Sequence, residues 1–245
     1  MSTEIEGIIN NVTEKTFNII KQVYDYQKES TPEKRENITE AGSRILFPKY
    51  SEGHRASKGI DRISEQELRF VFVEQLILYA RENNHDIYYS VETPTDKAYV
   101  FSEDKEGPKV DQNGVSARTD LVLYKKVGNE FKRKALIEFK AHNPDAINYR
   151  KDICKLINEE SDNGCSKYFI HIINVKNQKR TLKNISDDKI INIDALKEKG
   201  ENINYRINYI CFNLYNETGH KFITGEIRNN KLEDIRECES LSTEE

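Results

Sequence analysis

The chain has 245 residues, 36% of them apolar and 33% charged, and a formal net charge of −4. This suits one sizeable, rather polar globular domain, and the absence of any long apolar run excludes a membrane-spanning helix. The cysteines (Cys154, Cys165, Cys211, Cys238) form no C-x-x-C pair, and the histidines (His54, His85, His142, His171, His220) have no ligand spacing, so neither zinc nor a redox pair is expected. The acidic N-terminus has no signal-peptide pattern, so the cytoplasm is the expected location.

Residues 3–28 place Ile5, Ile8, Ile9, Val12, Ile19, Ile20, Val23 and Tyr24 on one stripe, which predicts an amphipathic helix. The segment from Arg44 to Arg62 is basic, glycine-punctuated and carries Phe47 and Tyr50. It reads equally as a phosphate contact, through residues such as Arg55 and Lys58, or as a wrap that packs Ile45, Leu46 and Phe47 on the core. Residues 1–60 are thus a helical segment plus a basic loop, ahead of a main domain over 61–235 and an acidic tail over 236–245, expected to be frayed.

Ser64 and Glu67 have the spacing of a capping box, opening a helix to about Asn83 that is apolar nearly all round and so expected to be buried on most sides. A strand over Asp86–Thr93 follows, then a long loop or loose hairpin over 94–117 in which Ser116 and Arg118 are candidate phosphate contacts. Thr119–Tyr124 and Ala135–Ala141 are strand-like runs joined by a turn at Val127–Glu130. Alternation along the second strand sends Ala135, Ile137, Phe139 and Ala141 into a core and turns Glu138 and Lys140 to the opposite face. Two charges on an apolar strand are expensive to bury without a partner or a task. If the strands pair, Asp120, Glu138 and Lys140 converge.

A helix over about 145–160 should turn Ile153, Leu156 and Ile157 inward, leaving Tyr149, Arg150, Lys151 and Lys155 within reach of a phosphate. Lys167–Val175 is an interior strand. A basic loop over 176–183 and a short helix near 194–199 precede two strands, Tyr205–Tyr215 and Lys221–Ile227. The fold class is therefore α/β, a mixed central sheet flanked by helices, with a helical N-terminal segment.

The order Asp120, then Glu138-x-Lys140, resembles the PD-(D/E)XK nuclease superfamily, the restriction-endonuclease-like fold. The likeness spans roughly residues 64–175 as an order of elements, with Thr119 in place of the family's proline. It implies phosphodiester hydrolysis, most often of DNA, with Mg²⁺ as cofactor and Mn²⁺ able to substitute. Asp120, Glu138 and the Phe139 carbonyl would hold the metal. Lys140 would stand near the attacking water, and a glutamate from the preceding helix would complete the site, Glu74 first and Glu67 second. Two hard carboxylates leave such an ion free to keep waters and a phosphate oxygen, which is the demand of this chemistry. Arg55, Lys58, Arg118, His142, Lys151, Lys179 and Arg180 are the candidate nucleic-acid contacts. A restriction-type or other defence endonuclease, acting as a homodimer because two strands need two sites, follows by analogy. The alternatives are the same fold acting on RNA, a nuclease-like binding or regulatory module without catalysis, and an unrelated α/β interaction protein in which Glu138 and Lys140 form a structural ion pair.

Overall fold

The computed structural model describes residues 2–28, 43–48, 63–100, 108–142, 146–159, 165–186, 205–215, 221–228 and 231–241. Its centre is an eight-stranded sheet in the order β2-β1-β3-β4-β5-β6-β7-β8. The strands are β1 (Ile87–Val100), β2 (Lys109–Val110), β3 (Val115–Val127), β4 (Glu130–Ala141), β5 (Ser166–Ile173), β6 (Ile207–Asn213), β7 (Phe222–Arg228) and β8 (Lys231–Cys238). β4, β5 and β6 run parallel, and every other pairing is antiparallel, so the sheet is mixed. The parallel step from β4 to β5 requires a crossover, supplied by helix α3 (Ala146–Asn158).

The expected alternation along β4 holds. Ala135, Ile137, Phe139 and Ala141 enter the core on one face with helices α1 (Ser2–Lys28) and α2 (Glu65–Glu82). Leu136 joins the other core with Ile153, Leu156 and Ile157 of α3. The predicted stripe of α1 is buried in full, and the helix belongs to the same core as the sheet. Phe47 is buried too, its backbone N–H and C=O bonded to the Gln27 side chain at 2.8 and 2.9 Å, so the described part of the basic segment packs as a wrap. Arg55 and Lys58 lie outside the described residues.

Several elements depart from expectation. Helix α2 is buried on one side only: Leu68, Val71, Phe72 and Leu76 face the core, whereas Phe70 and Leu78 are exposed. Its composition is apolar all round, but α1 and the sheet cover one flank. Of the long loop or loose hairpin expected over 94–117, the described residues show the hairpin: β1 continues to Val100 through an irregularity between Pro94 and Ala98 and pairs antiparallel with β2. The basic loop over 176–183 is mostly helix α4 (Gln178–Ser186), opened by Asn177, whose Oδ1 accepts from the Arg180 N–H at 3.1 Å. The expected helix near 194–199 lies outside the described residues. The tail is not frayed at Ile235: β8 pairs with β7 through Cys238, and Leu241 is buried with its N–H on Glu14 Oε2 at 2.8 Å. None of the described helices is long and apolar enough to cross a membrane.

Candidate active site

Two neighbouring strands bring the motif together. The β3–β4 ladder pairs Leu121 with Ile137 and stops there, near the carboxyl end of β4. The next N–H along, that of Phe139, is taken by the Asp120 carboxylate: it donates to Oδ2 at 2.8 Å. In a strand the N–H and C=O of one residue point to the same side, so the Phe139 carbonyl opens toward β3 as well. Glu138 and Lys140 project on the α3 face, as the alternation requires.

Glu138 is fully buried. Lys155 Nζ stands 2.8 Å from Oε1 as an ion pair. Burial pushes the Glu138 carboxyl well above its ordinary pKa, and the Asp152 and Asp120 charges push the same way against the pull of Lys155. Burial also raises Asp120. Lys140 is nearly buried and reaches Asp152 Oδ2 at 2.5 Å and Glu65 Oε1 at 3.0 Å. Desolvation works against its ammonium, but the two carboxylates outweigh it and its pKa rises. Glu138 and Lys140 thus pair outward to other groups rather than with each other.

α2 and α3 close the site from two sides. Asp152 and Lys155 lie one turn apart on α3 and pair at 2.9 Å, and Lys155 also donates to the Arg118 carbonyl at 2.8 Å. On α2, Glu65 and Arg69 are four residues apart and share a face. Glu65 meets Lys140, while Arg69 lies 3.7 Å from Asp120 Oδ1 and pairs with Glu92. Glu92 sits between Val91 and Thr93, which pair with Leu121 and Thr119, so it stands opposite Asp120. Its φ of 49° is a left-handed backbone that a glutamate adopts at a cost.

The helix carboxylate at the site is therefore Glu65, not Glu74 or Glu67. Glu74 is exposed. Nine residues beyond Glu65, it sits about 13 Å further along the axis and half a turn round. Glu67 is spent in the capping box, accepting from the Ser64 N–H at 2.8 Å. Sequence reasoning also missed Arg69, Glu92 and Asp152, and it named Lys155 only as a phosphate contact. A signal was present for the α3 pair: Asp152, Lys155 and Glu159 form a polar i, i+3, i+7 stripe beside the apolar one.

The other expected contacts scatter. Arg118 is exposed two residues before Asp120, and Lys151 is exposed beside Asp152. His142 follows β4 directly with φ 62°, its N–H on the Ile172 carbonyl at 2.7 Å and its own carbonyl on His171 Nε2 at 2.6 Å. Lys179 and Arg180 are exposed on α4, which follows the carboxyl end of β5. Arg133 pairs with Asp96 and Glu159 at 2.6 and 3.1 Å.

Asp120, Glu138 and the Phe139 carbonyl fit a hard divalent cation by donor chemistry, and the buried Glu138 carboxylate already holds one cation, the Lys155 ammonium. Among the described residues no three His, Cys, Asp or Glu side chains already surround one point as a metal cage. The carboxylates are interleaved with Lys155, Lys140 and Arg69. Comparison of the chain with family models, with curated proteins and with solved structures finds no match.

Proposed function

We propose that this chain is a metal-dependent nuclease with a restriction-endonuclease-like fold, hydrolysing phosphodiester bonds of DNA in the cytoplasm, in a restriction-type or other defence role. The observation that carries the reading is Glu138, fully buried on the face it shares with Lys140, beside Asp120 and with the Lys155 ammonium 2.8 Å from its Oε1. Buried carboxyl groups gathered together, with pKa values shifted by burial and by one another, mark candidate functional sites.

Bound Mg²⁺ would lower the pKa of a coordinated water and stabilise charge on the phosphate. Asp120, Glu138 and the Phe139 carbonyl would hold it. The Lys140 ammonium, positioned by Asp152 and Glu65, orients the attacking water and offsets the negative charge that develops on the phosphorane. Arg118 and Lys151, exposed next to the site, bind the flanking backbone.

A second reading, a nuclease-like module that binds nucleic acid without cutting it, draws on the two carboxylates that already hold Lys140. One assay separates the readings. Plasmid, linear duplex, single-stranded DNA and RNA are incubated with Mg²⁺, Mn²⁺ or EDTA, alongside Asp120→Asn. Metal-dependent cutting of DNA that the variant lacks supports the nuclease. Cutting confined to RNA moves the substrate class. Binding without cutting in any arm favours the second reading.

A further inference from the structure

Lys155 has three ammonium protons and three oxygens around it: Glu138 Oε1 at 2.8 Å, Asp152 Oδ1 at 2.9 Å and the Arg118 carbonyl at 2.8 Å. Those oxygens come from β4, α3 and β3, so the ammonium sits in a cage drawn from three elements rather than in a surface pair. Its side chain is nearly buried, and so are those of Glu138 and Asp152. The cage is a set of hard oxygen donors, the kind that selects Mg²⁺ or Mn²⁺.

We propose that Lys155 is the resident cation of the acidic site, bound between Asp152 and Glu138, and that it competes with a divalent ion for the Glu138 carboxylate that both require. The inference rests on the metal-dependent reading above and concerns how the ion gains entry. A divalent ion draws carboxylate oxygens to roughly 2.1 Å, closer than the ammonium's contacts allow. Glu138 cannot serve both at once without setting two cations against each other in a water-poor pocket. The ammonium is tethered one helical turn from Asp152, so it competes for the site without ever diffusing away. Metal entry must turn Nζ out toward the exposed face that carries Arg118 and Lys151.

The surrounding charge agrees. Glu65, Glu92, Asp120, Glu138 and Asp152 gather here against Arg69, Lys140 and Lys155. Five carboxylates against three cations leave room for one divalent ion, and removing the Lys155 charge enlarges that deficit.

The test is calorimetric titration of the full chain with Mn²⁺ alone, without nucleic acid, for wild type, Lys155→Met and Asp120→Asn. Lys155→Met should bind Mn²⁺ at least tenfold more tightly than wild type, and Asp120→Asn more weakly. Equal or weaker binding by Lys155→Met, with wild-type binding intact, overturns the inference and leaves the metal site standing. No binding by wild type or Lys155→Met overturns both. A second measurement needs no variant: acetylation of Lys155 by an amine-reactive ester, read by peptide mass spectrometry. Labelling should rise severalfold in saturating Mn²⁺, and a lysine equally protected with and without the ion overturns the inference.

Discussion

Lys140 Nζ lies 3.0 Å from Glu65 Oε1, so the first residue of α2 reaches past the end of the sheet to hold the ammonium of the acid-x-lysine triplet. The same ammonium is tied to Asp152 on α3. One cation thereby sets the positions of both helices at the site. Desolvation raises the Glu65 carboxyl despite this partner, with Asp152 and Asp120 adding to the rise. A nearly buried lysine held by two carboxylates is oriented rather than free.

On the proposed nuclease reading, Glu65→Gln should slow cleavage about 10- to 100-fold, the usual cost of removing a group that orients a site residue. The effect should fall on kcat, since Lys140 is misplaced while the phosphate contacts remain. Glu74→Gln, on the opposite face, should leave kcat and KM within twofold of wild type and stability within about 0.5 kcal/mol. Steady-state kinetics on a short duplex check both. Equal losses in the two variants would contradict the assignment of Glu65.

Glu159 predicts a stability effect without a catalytic one. Its carboxylate is buried and accepts from the Asp96 N–H at 3.0 Å and the Lys97 N–H at 3.3 Å, while Arg133 Nη1 lies 3.1 Å away. It thus clamps the irregular part of β1 to the end of α3. Lys167 Nζ finishes that helix by donating to the Glu159 carbonyl at 2.9 Å and the Ile157 carbonyl at 3.3 Å. Glu159→Ala should cost about 3–5 kcal/mol, as expected when one partner of a buried ion pair is removed. Glu159→Gln, which keeps an acceptor for the two N–H groups, should cost less. Urea unfolding measures both, and equal losses would mean that the charge and not the hydrogen bonds holds β1.

The strands of the site were legible because their physics is local. Apolar runs interrupted by single charges fix β3 and β4, and a period of two decides that Glu138 and Lys140 share a face. The α2 start was equally plain, since Ser64 and Glu67 are three residues apart. The choice of Glu65 over Glu74 was not, because it depends on where the helix end lies against the sheet, which no local spacing encodes. β8 was hidden for another reason. Its sequence, Lys-Leu-Glu-Asp-Ile-Arg-Glu-Cys, buries Leu232 and exposes most of the rest, as an edge strand does. Glu92 left no signal at all, for its left-handed backbone and its place opposite Asp120 follow from the pairing of β1 and β3.

His171 carries a pH prediction. It is fully buried beside Lys140 on β5, its Nε2 donating to the His142 carbonyl at 2.6 Å and its Nδ1 accepting from the Tyr209 hydroxyl at 2.9 Å. A carbonyl only accepts, which puts the proton on Nε2. Burial lowers the imidazole pKa to about 4. In the unfolded chain it titrates near 6.5, so between these values the unfolded state binds more protons. This contribution to stability is complete above about pH 6.5 and is lost as pH falls toward 4. Asp120 and Glu138 are raised and act with the opposite sign, losing stability as pH rises through their folded values. Comparison with His171→Phe isolates the histidine. The variant should be less stable at pH 7 and its stability should fall less from pH 6.5 to 4. Parallel curves for the two proteins would show that His171 titrates alike in both states.

On the same proposed reading, Lys179 and Arg180 test where nucleic acid would lie beyond the site. Both are exposed on α4, with Lys183 on the same helix and Lys176 just before it, its ammonium 5.8 Å from the centre of the Tyr215 ring. α4 follows β5 at the carboxyl end of the parallel strands, the end where β4 carries Lys140. In open α/β sheets ligands bind outside that end. A backbone running from the site along this edge would pass the α4 cations. If both touch phosphates of a duplex, Lys179→Ala with Arg180→Ala should weaken binding and reduce the slope of log K against log salt by about 1.8, since each phosphate contact contributes roughly 0.9. Cleavage at saturating substrate should be little changed, because neither residue reaches the reacting phosphate. Fluorescence anisotropy over a salt series measures the slope, and a slope equal to wild type would confine the nucleic acid to the face carrying Arg118 and Lys151.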